Sequence, residues 1–168
     1  GDLVAPRRVG RHVVADGDIL VVCQKIVSKA EGRLVDLATV TPSAFAHGIA
    51  DATQGKDPRV VEVILRETRR IVRMDNGNLI VETGPGWVCA NAGVDRSNVA
   101  PQGAGQDEIL LLLPADPDGT CQRLRVALHA ATGAEVGVII NDSHGRAWRQ
   151  GTVEARLEQT LTLLPGVV

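Results

Sequence analysis

The sequence predicts an α+β fold of mixed sheets with packed helices, distinct from P-loop and Rossmann architectures. Three observations carry that expectation. Short β-branched apolar runs and stretches with helical apolar spacing are both present, yet they do not alternate steadily as a doubly wound parallel sheet requires. The turn signals Asn76-Gly77 and Gly84-Pro85-Gly86 bracket neighbouring strand-like runs, the pattern of antiparallel hairpins. At 168 residues the chain is long enough to bury a sizeable core, so 1–168 reads as a single domain.

Taken in order, "DILVVCQ" (18–24) reads as a buried strand behind the turn "ADGD". "KIVSKAEGRLVDL" follows, with two lysines and a glutamate ahead of a second apolar segment. "GKDPRVVEVILRETRRIVRM" (55–74) predicts the clearest helix. Asp57 can cap it, Pro58 occupies its first position, and Val60, Val61, Ile64, Ile71 and Val72 recur near helical spacing. Arg66, Arg69, Arg70 and Arg73 then form a basic stripe, read as a solvated face opposing the negative end of the helix dipole. "NGNLIVETGPGWVCANAGVD" predicts a hairpin whose second strand delivers Asn91 and Asp95 to its far end. "DEILLLLP" is a further buried strand. "DPDGTCQRLRVALHAATG" predicts a helix capped by Asp118 and stopped by Gly133, leading into the strand "GVIIN". The last fifteen residues, "EARLEQTLTLLPGVV", read as a short helix and a tail.

Eighteen basic against twenty acidic residues leave a formal charge of -2, which argues against a nucleic-acid partner and requires any anion site to be local. Cys23, Cys89 and Cys121 are widely spaced and set in apolar runs, which suits buried thiols in a reducing compartment better than disulfides or a zinc cluster. No run approaches the roughly 20 apolar residues of a membrane span, and the N-terminus shows no signal-peptide pattern. A soluble, cytoplasmic protein with no membrane partner is expected. Phe45, Trp87 and Trp148 are the whole aromatic content, so the core must be built from Val, Leu, Ile and Ala.

Familiar nucleotide motifs are missing. "GIADATQGKD" lacks both the spacing and the hydroxyl residue of a P-loop, and no Gly-rich turn opens a helix after a strand. What remains is a set of polar bursts at strand ends. Gln24, Lys25, Ser28 and Lys29 follow the first strand, Asn91, Asp95, Ser97 and Asn98 the hairpin, and Asp142 and Ser143 the last apolar run. Were these loops to converge, two carboxylates and a hydroxyl would make a hard oxygen site for magnesium or manganese, with lysines to neutralise phosphate. That is the equipment of phosphoryl transfer, which depends on positioning and charge neutralisation. "GVDRSN" and "NDSHG" are equally readable as Asx-type turns whose side chains bond their own backbone. Both readings stand on spacing alone.

The blocks "QKIVSKAEGRLVDL", "GKDPRVVEVILRETRRIVRM", "LIVETGPGWVCANAGVDRSNV", "LLLPADPDG" and "NDSHGRAWRQG", in this order, resemble the coenzyme F-420 gamma-glutamyl ligase family across most of residues 16–152. The resemblance implies a GTP-dependent amide ligase that adds L-glutamate to the deazaflavin precursor through an acyl phosphate and extends the tail by gamma linkages. It further implies a homodimer that requires a divalent metal, magnesium or manganese, and potassium. By matching motifs, Asp95, Asp142 and Ser143 correspond to metal ligands. Gln24, Lys25, Lys29 and Asn98 correspond to nucleotide contacts, with Lys29, Asp95 and Asp142 as the catalytic set. Arg146, Trp148 and Arg149 would line the neighbouring loop, and Trp148 is a candidate to stack on a ring.

The chain departs from the family pattern at Ser143, His144 and Ala147, where many relatives have Thr, Phe and Pro. Serine still presents a ligand oxygen; His144 reads as an exposed loop residue. "GDLVA" resembles the end of a nucleotide-binding loop, and relatives continue well beyond "WRQGTV", so residues 1–168 read as lacking family segments at both ends, either because those segments are left out of this stretch, as expected, or because the protein is shortened. Two alternatives follow from these departures. One is a related amide ligase acting on a different carboxylate; the other is a nucleotide-binding subunit without turnover.

Overall fold

The computed structural model describes residues 14–53, 55–75, 77–96, 108–144 and 153–157, with backbone alone for 75, 143, 144 and 153–157. These residues fall into two compact units, each discontinuous in sequence. The content is α+β, as expected. Among the described residues no helix is long and apolar enough to cross a membrane.

The first unit contains residues 14–32, 114–143 and 153–157. Strand β1 (Ile19–Cys23) runs parallel to β7 (Gly137–His144), with Ile19 opposite Gly137 and Cys23 opposite Asn141. A third strand, β8 (Val153–Leu157), completes the order β1-β7-β8. Alternation sorts the side chains of the pair. Leu20 and Val22 turn with Val138 and Ile140 toward a core that also holds Val27 of α1 (Gln24–Ala30) and Cys121, Leu124 and Leu128 of α4 (Pro117–Thr132). Ile19 and Val21 face the other way and are more than half exposed. Strand β1 is therefore a half-buried edge strand rather than the buried strand its apolar run predicts. A continuous β-branched run does not reveal which of its faces is covered.

Helix α4 begins where Pro117 fixes φ and ends at Gly133, whose φ of 76° is the left-handed value that favours glycine at a helix stop. Its cap is Asp116, which accepts from the Gly119 amide at 2.9 Å, and not the predicted Asp118, which lies inside the first turn. Asp118 at that point still meets the positive end of the helix dipole. Residues 154–157, at the start of the stretch expected to form a short helix and a tail, lie in β8 instead. Valine and the alternation of "VEARL" suit a strand once β7 offers an edge.

The second unit contains most of residues 33–113. Its core joins Leu37, Ile49, Val60, Val61, Ile64, Leu79, Val81, Leu110 and Leu112. Strand β2 (Leu34–Asp36) pairs antiparallel with β6 (Ile109–Leu111). Helix α2 (Ala44–Ala52) is capped by the Ser43 hydroxyl, which accepts from the Ala46 amide. Helix α3 (Pro58–Arg66) buries Val60, Val61, Val63 and Ile64. Valine and isoleucine are mediocre helix formers, so burial of these side chains, at ~1.5–3 kcal/mol each, outweighs local propensity in holding a helix of this length. Arg33 ties the unit together by donating to the Leu113 carbonyl at 2.9 Å and to Glu67 at 2.7 Å.

The predicted long helix stops halfway. After Glu67 the chain enters β3 (Thr68–Asp75), which pairs with β4 (Asn78–Thr83), and β4 with β5 (Val88–Ala90), giving an antiparallel meander around the two predicted turns. "TRRIVRM" carries Thr68, Ile71 and Val72, β-branched residues whose spacing fits either period, and an available partner strand decides it. The arginine stripe is consequently split. Arg66 pairs with Glu62 within α3, while Arg69 and Arg70 reach Glu82 across the strands. The Arg70 guanidinium holds the Glu82 carboxyl below the usual carboxylate range.

Candidate functional site

The residues singled out by sequence divide between the two units. In the first unit, parallel pairing puts the C-terminal ends of β1 and β7 side by side. At that end β1 runs directly into α1, so Gln24 follows the Cys23–Asn141 pair on one strand and Asp142 follows it on the other. Ligands of open parallel sheets bind outside such carboxyl ends. Gln24 and Ser28 are buried and bonded to each other, the Gln24 amide donating to the Ser28 hydroxyl at 2.7 Å. This bond seats the first turn of α1 and leaves Lys25 and Lys29, one turn apart, on the more exposed side. Asp142 is half-buried. The strand register thus brings Gln24, Lys25 and Asp142 to one strand end. Ser143 continues β7, and its side chain lies outside the description, as does that of His144.

In the second unit β5 ends in a tight turn at Asn91–Gly93 that delivers Asp95, again as the hairpin predicts. The turn is left-handed throughout: φ is 52° at Asn91, 54° at Ala92 and 69° at Gly93. A non-glycine residue in this region carries a penalty of ~1–2 kcal/mol, smaller for asparagine, and persists only where the surroundings fix it. Ala92 is buried, and a side chain at Gly93 would meet Leu113 Cδ1 at 2.7 Å. Asp95 is held by its own backbone, donating to the Leu111 carbonyl at 3.0 Å and accepting from the Leu111 amide at 2.8 Å. Asn98, Ser97, Arg146, Trp148 and Arg149 lie outside the described residues.

The structure adds a residue that spacing did not single out. The Lys56 ammonium donates to the Gly77 carbonyl and, at 2.9 Å, to the Asn91 side-chain oxygen, which also accepts from the Leu79 amide at 3.4 Å. Burial pushes the Lys56 pKa down. Next to it, Asp57 caps α3 by accepting from the Arg59 amide at 2.9 Å. The Arg59 guanidinium grips Asp57 at 2.7 Å and Glu108 at 2.8 Å. The Arg59 hydrogen bonds hold the Asp57 carboxyl below its ordinary value, and the two carboxylates push the Arg59 pKa up. The only sequence signal for Lys56 is its place one residue before a helix cap, an ordinary solvent-facing position.

Among the described residues there is no cluster of three or more His, Cys, Asp or Glu side chains that could hold a metal ion. Asp95 and Asp142 are nevertheless hard oxygen donors. Magnesium is commonly held by one or two carboxylates together with substrate phosphates rather than by an all-protein cage, so the donor chemistry suits that ion. Of the three thiols expected to be buried, only Cys121 is: Cys89 is half-buried and Cys23 exposed, because it ends the edge strand. Burial raises the Cys121 pKa.

Comparison with known proteins matches residues 5–157 to the family described as F420-0:Gamma-glutamyl ligase. Curated relatives named Coenzyme F420:L-glutamate ligase include one from Methanopyrus kandleri, 50% identical over 153 residues, covering 91% of this chain and 58% of the relative. One from Methanothermobacter thermautotrophicus is 43% identical over 151 residues, covering 90% of this chain and 57% of the relative. One from Halobacterium salinarum is 40% identical over 156 residues, with coverage of 90% and 57%. The chain thus spans less than two thirds of the length of these relatives.

Proposed function

Since the chain belongs to the F420-0:Gamma-glutamyl ligase family, we propose that its full protein joins L-glutamate to the coenzyme F-420 deazaflavin precursor in a GTP-dependent reaction. The relatives' shared name supports the glutamate ligase activity. The observation that carries the reading into the structure is the paired strand end of the first unit, where the β1–β7 register sets Gln24, Lys25 and Asp142 together.

In the proposed reaction a carboxylate oxygen of the precursor attacks the terminal phosphorus of GTP. The bond from that phosphorus to the bridging oxygen breaks, and GDP leaves with the electron pair. The glutamate amine then attacks the acyl carbon, forms the amide, loses a proton and expels phosphate. Lys25 and Lys29, with Gln24 and Asn98, hold the nucleotide, and the lysines offset phosphate charge. Asp95, Asp142 and Ser143 are the ligands for magnesium or manganese. Bound divalent ions supply Lewis-acid charge neutralisation on phosphate and carboxylate oxygens. Potassium and a homodimer complete the proposal, as the family resemblance implies.

The test is mass spectrometry of deazaflavin tail length with full-length protein, GTP, glutamate and manganese, beside a measurement of GDP release. Glutamate-dependent tail growth is expected, with turnover lowered about 100-fold or more in Asp95→Ala and in Asp142→Ala. Full activity in both variants overturns the metal assignment. GDP release only with a different acid would indicate another carboxylate substrate. Tight GDP binding without consumption of GTP would indicate a subunit without turnover.

A further inference from the structure

We propose that Lys56 and Arg59, the two cations flanking the cap of α3, are positioning residues that fix Asp95 through the left-handed turn before it and through β6 beside it. This rests on the reading of Asp95 as a metal ligand and goes further by naming what sets that ligand's place.

The start of α3 acts as an anchor with two arms. Lys56 reaches the Asn91 side-chain oxygen at 2.9 Å and the Gly77 carbonyl, so it joins the β3–β4 turn to the first residue of the left-handed turn. Arg59 reaches Glu108 at 2.8 Å, immediately before β6 begins at Ile109. Leu111 of β6 then exchanges both backbone hydrogen bonds with Asp95. The turn that precedes Asp95 and the segment that leads into its partner strand are therefore each tied, at Asn91 and at Glu108, to the start of α3.

Lys56 is an uneconomical choice for stability alone. Both of its described partners are neutral oxygens, and burial disfavours its charge. An apolar side chain of similar length should be tolerated there, because Asn91 keeps the Leu79 amide as a donor. What such a side chain cannot do is restrain the Asn91 carboxamide, and with it a turn whose φ values are unfavourable for Asn91 and Ala92. Partners behind a metal ligand commonly change metal affinity by 10–100-fold when removed.

The test uses full-length protein and two readouts. The first is the Mn2+ dissociation constant, followed by the spin-resonance signal of free Mn2+. The second is hydrogen exchange of the Val94, Asp95 and Leu111 amides. Lys56→Met is expected to weaken Mn2+ binding about tenfold or more with an unchanged thermal midpoint, and Lys56→Arg to recover most of that loss. The Asp95 and Leu111 amides should exchange about tenfold faster in Lys56→Met. Asn91→Gly accepts the left-handed backbone but removes the acceptor, so it should reproduce the Lys56→Met loss, and the double variant should be no worse than either single one. Arg59→Met is expected to speed exchange at Leu111 most. Mn2+ affinity within twofold of the parent in Lys56→Met and Asn91→Gly, while Asp95→Ala loses it, overturns the proposal. If Asp95→Ala leaves Mn2+ binding intact, the ligand reading fails by itself, and unchanged exchange in Lys56→Met then removes the positioning role as well.

Discussion

The two units present their candidate acidic residues by opposite means. In the first, Asp142 arrives by regular geometry: a parallel register sets Cys23 opposite Asn141, and the next residue on each strand carries the polar group. In the second, Asp95 arrives by an irregular one, after three consecutive left-handed residues held by a lysine 35 positions away. Register is a property of whole strands and tolerates local change. A strained turn depends on each contact that fixes it. The comparison implies that substitutions at equivalent kinds of position should be harsher in the second unit than in the first.

The largest expected difference concerns two glycines with nearly the same backbone. Gly93 and Gly133 have φ of 69° and 76°, so alanine at either pays the left-handed penalty. At Gly133 nothing lies within 4 Å of the added carbon, whereas at Gly93 the Leu113 side chain stands at 2.7, 2.8 and 3.0 Å. Gly133→Ala should cost about 1 kcal/mol, and Gly93→Ala about 2–4 kcal/mol once the overlap with Leu113 is added. Urea unfolding of the two variants checks this. Equal losses would show that Leu113 moves aside freely and that the turn is less constrained than its contacts indicate.

Legibility in the sequence follows the same division. Features written in one local signal were readable: Asp57-Pro58 at the start of α3, Gly133 at the end of α4, the two turns of the meander, and the polar ends of β1 and β7. Features that depend on a distant partner were not. "TRRIVRM" becomes a strand because β4 is there to pair with it, and Ile19 and Val21 are exposed because alternation turns them away from the core that takes Leu20 and Val22. Lys56 has no local mark beyond its place before the Asp57 cap, since its role exists only once Asn91 and Gly77 are beside it. Asp116 and Asp118 both stand at the start of α4, and the backbone at Asp116 decides which of them caps.

A smaller effect separates the units through pH. The folded Asp57 carboxyl lies below its ordinary value, chiefly through the Arg59 hydrogen bonds. Its contribution is therefore fully present above the unfolded value of about 3.9 and is lost as pH falls through the lower folded value. Asp57→Asn keeps a capping oxygen but removes the charge facing Arg59, so a loss of about 1 kcal/mol is expected at pH 7. That difference should shrink as pH is lowered from 5 toward 2, since the parent carboxylate becomes neutral as well. Chemical denaturation at several pH values reads the convergence, and a gap that stays constant or widens in acid would remove Arg59 as the cause.

The matching change in the first unit, Asp116→Asn, isolates capping from ion pairing. Asp116 accepts from the Gly119 amide at 2.9 Å, and its backbone carbonyl accepts from the Thr120 amide at 3.0 Å. Asparagine caps a helix about as well as aspartate, so only the attraction of the charge for the helix dipole is lost, a few tenths of a kcal/mol. Asp116→Ala removes the capping oxygen too and should cost about 1 kcal/mol. An Asp116→Asn loss as large as that of Asp57→Asn would mean that a charge partner, rather than the orphan amide, sets the start of α4. The contrast between a cap that only ends a helix and one that anchors a site would then disappear.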